Sequence, residues 1–371
     1  MAVRAIGRPA REPGARDTGA RGPDERDPGE RDSGERRPGE RGPGGHGRTV
    51  SATRPRVWIT RRLSEATLER ARRDYDVVLD DEDAPRPADE IVARSAEVDA
   101  VVPCHSEVFD AGVAERLDGR LRIVANHSVG VDHCDLDALG ARGIVVTNTP
   151  DVLSEATAET ALLLVLGAAR RAIEGDRLVR EGRWDSWSPA FMVGTQVSGA
   201  RLGIVGMGRV GRTLARFARG LGMEVHYHNR SRLDAAEEHG AIYHDSLETL
   251  LPVSTFLSLH CPATPETRGL VDRDFLARLP RGAILVNTAR GALVDEAALA
   301  EALDAGHLAA AGLDCFVDEP GGNAAFAPRD NVFMLPHVGS ATRATRDAMG
   351  CRALDNLDAF FAGREPRDRL V

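Results

Sequence analysis

Three side chains capable of acid–base chemistry each follow a short apolar stretch in the last quarter of the chain. Arg290 stands in V-N-T-A-R-G, Glu319 in D-C-F-V-D-E-P and His337 in L-P-H-V-G-S-A-T. An arginine fork can hold a carboxylate and a carbonyl oxygen together, a histidine can donate a proton near neutral pH, and a nearby glutamate would stabilise the charged ring. Taken singly, each also has a structural interpretation, as a surface salt bridge, a structural histidine or a loop glutamate. Together they suit the reduction of a 2-oxo acid by a nicotinamide.

A glycine-rich turn earlier in the chain predicts where such a nicotinamide cofactor binds. Residues 206–211 read G-M-G-R-V-G and directly follow an apolar stretch at 202–205. A helix is predicted over 210–221 and a second strand over 223–228, so the G-x-G-x-x-G motif opens the helix of a strand–helix–strand unit. The glycines allow a tight turn and close approach of a pyrophosphate, which the helix N-terminus attracts. This context predicts a dinucleotide site, with an ordinary glycine-rich turn as the alternative.

The residues after the second predicted strand indicate which dinucleotide binds. The acidic residue that usually accepts hydrogen bonds from the ribose hydroxyls is absent, and Asn229, Arg230, Ser231 and Arg232 stand there instead. Neutral and cationic donors suit a 2'-phosphate, so NADP (NADPH) is the predicted cofactor, with NAD as the second candidate. The alternative is that the two arginines are a solvated surface pair.

Composition excludes several other chemistries. All 48 basic residues are arginine, so Schiff-base chemistry, pyridoxal phosphate anchoring and a Walker A loop, which need a lysine amine, are excluded. The five cysteines are scattered without a C-x-x-C pair, which predicts a reducing, cytoplasmic setting with no metal site and no disulfide framework. The longest apolar run, 161–169, is too short to span a membrane, and the N-terminus lacks the apolar core of a signal peptide.

The first 50 residues differ from the rest of the chain. They consist of arginine-containing five-residue units such as R-D-P-G-E with almost no large apolar side chains, and we expect them to be disordered. They carry 11 arginines and 9 acidic residues, a net charge of about +2. Because the whole chain carries −9, the remaining residues carry about −11. Binding of nucleic acid by that remainder is therefore not expected. A weak adhesive arm, a functionless extension and a start site assigned too far upstream are the interpretations of this tail.

Strands alternate with amphipathic helices from residue 56 onward, which predicts an α/β fold with two doubly wound parallel sheets. Strands are predicted at 57–60, 76–79, 98–102, 121–125 and 144–147 before the glycine-rich turn, and at 256–260, 283–287, 310–315 and 332–335 after its two strands. Further helices are predicted at 151–171, with Ser154 as a possible N-cap, at 295–305 and at 342–361.

The order of these elements predicts a Rossmann nucleotide domain inserted in a flavodoxin-like substrate domain. We expect the disordered tail at 1–50, the substrate domain at 51–152 completed by 338–371, and the dinucleotide-binding domain at 153–337. The chain then crosses twice between the two domains, which predicts a cleft with hinges near Pro150 and Gly339.

The glycine-rich turn followed by Arg290, Glu319 and His337, in this order along the chain, resembles the D-isomer-specific 2-hydroxyacid dehydrogenases. The resemblance covers about residues 55–371 and includes N-H-S-V-G-V-D-H-C-D at 126–135, A-T-A-E-T-A-L-L-L at 156–164 and H-C-P-A-T-P-E-T-R-G at 260–269. The N-R-S after the second strand is similar to the branch that reduces glyoxylate and hydroxypyruvate with NADPH.

This resemblance implies roles for individual residues. Arg290, Glu319 and His337 would be catalytic, and the backbone N–H groups of Val129 and Gly130 would bind the substrate carboxylate beside Arg290. The implied cofactor-binding residues are Gly206, Gly208, Arg209, Val210, Gly211, Asn229, Arg230, Ser231, Arg232, Cys261, Pro262, Thr267, Thr288, Ala289, Asp314, His337 and Gly339. The elements at 156–171 and 182–195 would form a homodimer, and the partner molecule would be a small 2-oxo or 2-hydroxy acid.

One segment, 102–108, matches no pattern of the family, so the substrate side chain that fits is left open. His105, His127 and His133 lie near this segment without partners in the sequence, and we treat all three as structural. Two alternatives remain for the function. One is a phosphoglycerate-type or other D-2-hydroxyacid dehydrogenase, and the other is a non-catalytic NAD(P)-sensing, corepressor-like protein on the same fold.

Overall fold

Two parallel β-sheets make up the described part of the molecule. The structure is a computed structural model that describes residues 54–371, so the expectation for the tail at 1–50 lies outside the described residues. Within residues 54–371 every pairing between named strands is parallel, in one sheet of five strands and one of seven. None of the helices there has the length and apolar character that crossing a membrane requires.

The first sheet has the strand order β2-β1-β3-β4-β5. Its strands are β1 (Arg56–Ile59), β2 (Asp76–Leu79), β3 (Ala100–Val102), β4 (Ile123–Ala125) and β5 (Val145–Thr147). The helices between these strands are α1 (Glu65–Asp74), α2 (Ala88–Ser95), α3 (Ala111–Arg116) and α4 (Leu136–Ala141). The order reverses between β1 and β3, and ligands of doubly wound sheets bind outside the carboxyl ends of the strands at such a reversal.

The second sheet follows two helices, α5 (Ser154–Ala169) and α6 (Ala172–Arg180). Its order is β12-β11-β10-β9-β6-β7-β8, with the reversal between β6 and β9. The strands are β6 (Arg201–Val205), β7 (Glu224–His228), β8 (Ile242–His244), β9 (Phe256–Leu259), β10 (Ala283–Asn287), β11 (Leu308–Leu313) and β12 (Val332–Met334). The helices are α7 (Arg209–Gly220), α8 (Ala235–Glu238), α9 (Leu247–Leu250), α10 (Arg273–Ala277), α11 (Glu296–Asp304) and, after the last strand, α12 (Arg343–Phe361).

Burial explains why the strands of the second sheet read as continuous apolar runs. Every residue of β9 and β10 is buried, as expected for central strands of a parallel sheet that is covered on both faces. On α7 the buried residues Gly211, Leu214, Ala215 and Ala218 recur at helical spacing. They pack in one hydrophobic core with the apolar residues of α5, which therefore covers this sheet.

The last helix packs on the first sheet although it follows the second. Leu354 and Leu357 of α12 share a hydrophobic core with Val57 and Ile59 of β1. At Gly350 a side chain would collide with Thr67 of α1, so the helices approach closely there. The start of α12 and the loop before it are thereby held between the two sheets.

These elements confirm the predicted fold class, with most boundaries within two residues of the expected ones. The prediction of Ser154 as N-cap is wrong: Leu153 is the N-cap of α5 and Ser154 is its first helical residue. The elements that the sequence did not predict include α6, α8, β8 and α9. Strand β8 is only three residues long and partly exposed, so its sequence carries little apolar signal.

Candidate active site

A cleft of about 570 Å³ opens where strands of both sheets end. Of the residues expected in the site, it is lined by Val129, Gly130, Gly208, Arg209, Val210, Cys261, Pro262, Thr288, Ala289, Arg290, Asp314, His337 and Gly339. The remaining expected residues, which lie outside this lining, are Gly206, Gly211, Asn229, Arg230, Ser231, Arg232, Thr267 and Glu319. The lining also includes residues that the sequence did not single out for the site, among them His105, His127, Asp132, Thr264, Ser340 and Arg346.

The glycine-rich turn leaves room for a phosphate at the start of α7. Gly206 has a φ of 96°, in the region that favours glycine, and a side chain there would collide with the backbone of His260 and Cys261. Gly208 is the N-cap of α7 without a side-chain cap, and no protein atom lies within 4 Å of where its Cβ would be. The N–H groups and dipole of this 12-residue helix therefore meet open space. The turn fits the pyrophosphate of a dinucleotide.

The side chains after β7 are already partly engaged with the protein. Asn229 Oδ1 accepts a hydrogen bond of 2.6 Å from the backbone N–H of Met207, so this side chain braces the glycine-rich turn. Arg232 forms a two-point ion pair with Glu238, with distances of 2.7 and 3.1 Å. Arg230 is exposed and makes no salt bridge within residues 54–371. Of the two arginines proposed for a 2'-phosphate, Arg230 is therefore the freer one.

Two predicted cofactor residues support loops of the cleft. Thr267 Oγ1 donates to the carbonyl of Pro262 at 2.6 Å and accepts from the N–H of Thr264 at 2.8 Å, which fixes the loop after β9. Asp314 accepts hydrogen bonds of 2.8 Å from the backbone N–H groups of Val338 and Gly339. Burial raises the pKa of Asp314 although these N–H groups act in the opposite direction. Both residues hold the backbone around the cleft in place.

Arg290 spans the gap between the two sheets. It follows β10, and its Nε donates to Asp132 Oδ1 at 2.9 Å while Nη1 donates to the carbonyl of Ala289 at 2.8 Å. A side chain at Gly130 would collide with the guanidinium of Arg290, so the fork lies directly against this glycine. Burial tends to raise the pKa of Asp132, but the charge and hydrogen bond of Arg290 outweigh it and the pKa is lowered. The fork is thus oriented beside the backbone expected to bind a carboxylate.

His337 and Glu319 form the pair expected from the sequence. His337 Nδ1 lies 2.6 Å from Glu319 Oε2, and Glu319 Oε1 accepts from the backbone N–H of Phe316 at 2.7 Å. Burial tends to raise the pKa of Glu319, but these hydrogen bonds outweigh it and the pKa is lowered. Because a carboxylate only accepts, Nδ1 carries the hydrogen and Nε2 is left for a ligand. His337 has a φ of 52°. Non-glycine residues rarely adopt this conformation, and those that do are often found at functional sites.

His105, which the sequence interpretation treats as structural, lies in the cleft. Its ring stacks on that of His337 with centroids 5.0 Å apart and an angle of 28° between the planes. Surrounding protein atoms lower the pKa of His105, and the charge of His337 lowers it further. The sequence does contain a signal for His105, because it follows β3 as Arg290 follows β10. Ligands of doubly wound sheets bind at the carboxyl ends of the strands.

His105, Glu319 and His337 also have a spacing that resembles a metal site. Their ligand atoms lie within 4.8 Å of one another. Two of the three are already joined by the hydrogen bond between His337 and Glu319. The sequence predicts no metal here, and the hydrogen bond accounts for the approach of His337 Nδ1 to Glu319 Oε2.

His127 and His133 differ from His105. His133 Nε2 is within 3.0 Å of Asn126 Oδ1, which fits a structural role. His127 is buried, lines the cleft and makes no hydrogen bond through either ring nitrogen within residues 54–371, although the backbone carbonyl of Arg346 lies near enough to raise its pKa slightly. Burial lowers the pKa of both rings to about 4, so both are neutral at neutral pH.

Comparison with known proteins identifies relatives over nearly the whole described part. Residues 162–339 match the family described as "D-isomer specific 2-hydroxyacid dehydrogenase, NAD binding domain". The chain is 41% identical over 315 residues to the glycerate dehydrogenase of Hyphomicrobium methylovorum, which covers 84% of this chain and 98% of the relative. It is 42% identical over 318 residues to the glyoxylate reductase of Aeropyrum pernix, covering 84% of this chain and 95% of that protein.

A solved structure has the same architecture. The NADPH-dependent glyoxylate/hydroxypyruvate reductase of Sinorhizobium meliloti, in complex with NADP and malonate, is 34% identical in sequence. Its TM-score is 0.76, over 86% of this chain and 97% of that one. The likeness therefore includes both sheets and the cleft between them.

Proposed function

This chain belongs to the D-isomer-specific 2-hydroxyacid dehydrogenases and is an NAD(P)-dependent oxidoreductase, and we propose that it reduces glyoxylate to glycolate and hydroxypyruvate to D-glycerate. The observation that carries this proposal is the convergence of Arg290, the His337–Glu319 pair and Gly130 in one cleft. The names of the relatives support the same two substrates.

Each residue has a role in this reaction. The backbone N–H groups of Val129 and Gly130 and the fork of Arg290 bind the substrate carboxylate, and Arg290 also contacts the carbonyl oxygen. The reduced nicotinamide supplies the hydride that forms the new C–H bond. His337 donates its Nε2 proton to the carbonyl oxygen, which forms the O–H bond of the product, and Glu319 keeps the ring oriented and charged until then.

The test is a substrate panel with the purified full-length chain. We expect oxidation of NADPH with glyoxylate and hydroxypyruvate, and D-glycerate as the single enantiomer formed from the latter. Faster oxidation of 3-phosphoglycerate than reduction of either substrate would favour the phosphoglycerate-type alternative. Tight NADPH binding with no turnover of any 2-oxo acid would favour the corepressor-like sensor.

The proposal includes a preference for NADPH over NADH, supported by the exposed Arg230 and by the absence of an acidic residue at 229. The combined substitution Asn229→Asp, Arg230→Ala and Arg232→Ala should reverse the preference, because a carboxylate would repel a 2'-phosphate and accept from ribose hydroxyls. An aspartate can still accept the hydrogen bond from Met207, so the turn is preserved.

The measurement for the cofactor is the ratio of kcat/KM with NADPH to that with NADH at one salt concentration. Arg230→Ala alone should lower this ratio about tenfold, the scale of one screened charge-assisted contact. Arg232→Ala should lower it less, since Arg232 is held by Glu238. A wild-type preference for NADH, or a ratio that the triple substitution leaves unchanged, would show that the arginines are surface residues.

A homodimer is also part of the proposal. Large apolar side chains are exposed on α6 and on the following segment at 182–195, including Val179, Trp184, Trp187 and Val193. Such a cluster is expected at a subunit interface. Light scattering should give twice the chain mass for the wild type and a monomer for Trp187→Arg. The control Ile242→Arg, on an exposed residue of strand β8, should remain dimeric.

We further propose the domain boundaries and the location given by the sequence. Packing of α12 against β1 supports completion of the substrate domain at 51–152 by 338–371, and packing of α5 against α7 supports the dinucleotide-binding domain at 153–337. The five free thiols support a reducing, cytoplasmic compartment. Limited proteolysis near residues 150 and 339, with and without NADPH, would test the domain boundaries. Localisation of a tagged chain would test the compartment.

A further inference from the structure

The segment between β3 and α3 is fixed on both sides of His105, which lines the cleft. Glu107 is fully buried, and its carboxylate accepts hydrogen bonds from Thr60 Oγ1 at 2.6 Å and from the N–H of Cys104 at 3.0 Å. Ser106 Oγ donates to the same carboxylate at 2.7 Å. The residues on both sides of His105 are thus bound to one buried group, so the imidazole is presented to the cleft from a fixed backbone.

The imidazole of His105 is free to bind a ligand. Among residues 54–371 neither of its ring nitrogens takes part in a hydrogen bond, and the residue is exposed to the cleft. Two rings 5.0 Å apart do not both carry a positive charge readily. When His337 holds the catalytic proton, His105 is therefore neutral and offers one N–H donor and one nitrogen acceptor.

The placement of the substrate determines what His105 meets. The carbonyl carbon of a 2-oxo acid has three substituents in one plane: the oxygen, the carboxylate and the remaining group. In the proposed function the oxygen faces His337, and the carboxylate lies between Gly130 and Arg290. The remaining group then points past His337 on the side away from Gly130. Among residues 54–371 the ring that stacks on His337 in this cleft is that of His105, so we place the remaining group against His105.

We infer that His105 determines substrate specificity by hydrogen bonding to a hydroxyl group on C3 of the 2-oxo acid. The preferred class is 3-hydroxy-2-oxo acids, such as hydroxypyruvate, over acids with an alkyl group at C3, such as pyruvate. A methyl group would leave the polar edge of the neutral imidazole without a partner, whereas a hydroxyl group satisfies it. The inference rests on the proposed function, because it uses the substrate position that the proposed function assigns.

The test compares three substrates that differ at one group. Glyoxylate has no C3, pyruvate has a methyl group there, and hydroxypyruvate has a hydroxymethyl group. His105→Leu removes the polar edge and keeps a side chain of similar length. We expect the ratio of kcat/KM for hydroxypyruvate to that for pyruvate to fall about five- to tenfold, the size of one neutral hydrogen bond. His105→Gln, which retains an amide donor and acceptor, should recover part of the ratio.

Controls separate this role from a structural one. Val108→Ala changes an exposed residue of the same segment that does not line the cleft, and it should leave the ratio at its wild-type value. An equal loss with all three substrates in His105→Leu would show that His105 acts through His337 or through folding, which overturns the inference. A wild-type ratio in His105→Leu would also overturn it.

Failure of the inference can be told apart from failure of the proposed function. If the wild type reduces glyoxylate but the ratio does not depend on residue 105, only the role of His105 is lost. If the wild type reduces none of the three substrates, the proposed function itself is wrong.

Discussion

The two sheets contribute different kinds of groups to one cleft. The seven-stranded sheet supplies the reactive side chains Arg290, Glu319 and His337 after its neighbouring strands β10, β11 and β12. The five-stranded sheet supplies backbone at Gly130 and the neutral ring of His105. In the proposed function one sheet therefore carries the chemistry and the other shapes the space for the substrate.

The difference follows from how the groups are held. On the seven-stranded side two of the three groups are restrained within their own sheet: Glu319 by the backbone of Phe316, and the loop that carries His337 by Asp314. The fork of Arg290 instead depends on Asp132 and Gly130 across the cleft. Substitutions at these groups should therefore decrease in effect from the proton donor, through the fork, to the groups that orient them.

The largest effect is expected for His337→Asn. Loss of the proton donor should lower kcat by roughly 10²- to 10⁴-fold with little change in NADPH binding. His239→Asn is a matched control, because both histidines have a positive φ, of 52° and 47°, which asparagine tolerates. Stopped-flow reduction rates and NADPH fluorescence titration measure the two quantities. If the His337→Asn variant had a rate close to that of the control, His337 would not be the proton donor.

The next effect is expected for Arg290→Gln. The guanidinium contacts both ground state and transition state, so KM should rise and kcat should fall, with kcat/KM lower by about 10²-fold. Arg281→Gln, an exposed position before β10, should behave like the wild type. If only the free energy of unfolding decreased, and the kinetics per folded molecule did not change, Arg290 would be a structural salt bridge.

A smaller effect is expected for Asp132→Asn on the five-stranded side. Loss of its charge should loosen the fork, which keeps its bond to the carbonyl of Ala289, and should lower kcat/KM about tenfold. Asp137→Asn on the exposed start of α4 is the control. Steady-state kinetics with glyoxylate would show a lower KM instead if Asp132 mainly repelled the substrate carboxylate.

The smallest effect is expected for Glu319→Gln and concerns pH. The pKa of Glu319 is lowered, so it is charged at neutral pH, and it stabilises the protonated ring of His337. Reduction needs a protonated donor, and with a neutral amide at residue 319 no charge favours that form, so the alkaline limit of kcat/KM should move to lower pH. An unchanged pH–rate profile would contradict the pairing, whereas the profile of the control Glu115→Gln, on an exposed residue of α3, should match the wild type.

The sequence predicted the nucleotide side in detail because its signals are local. The motif at 206–211, the strand before it and the helix after it lie within about 20 residues, and Gly206 and Gly211 each meet a steric demand of the same turn. The strand-end positions of Arg290 and His337 could also be read from the order of strands, since the carboxyl ends of parallel strands share one edge.

Contacts between distant segments could not be predicted in this way. Arg290 and Asp132 are 158 residues apart, and nothing in either neighbourhood indicates the other. The stacking of His105 on His337 likewise joins loops that are far apart in the chain. For this reason the sequence did not predict that His105 lines the cleft.

The sequence by itself therefore determined the two-sheet α/β fold and the dinucleotide turn, and it singled out the three side chains that we propose for the reaction. Only the tertiary structure decided that Arg232 is paired while Arg230 is exposed, that Asp132 orients the Arg290 fork and that His105 lines the cleft. Periodicity and turn chemistry act over a few residues and are written in neighbouring positions. The charge and orientation of a side chain in a cleft depend on groups that the folding of the whole chain brings within a few ångströms.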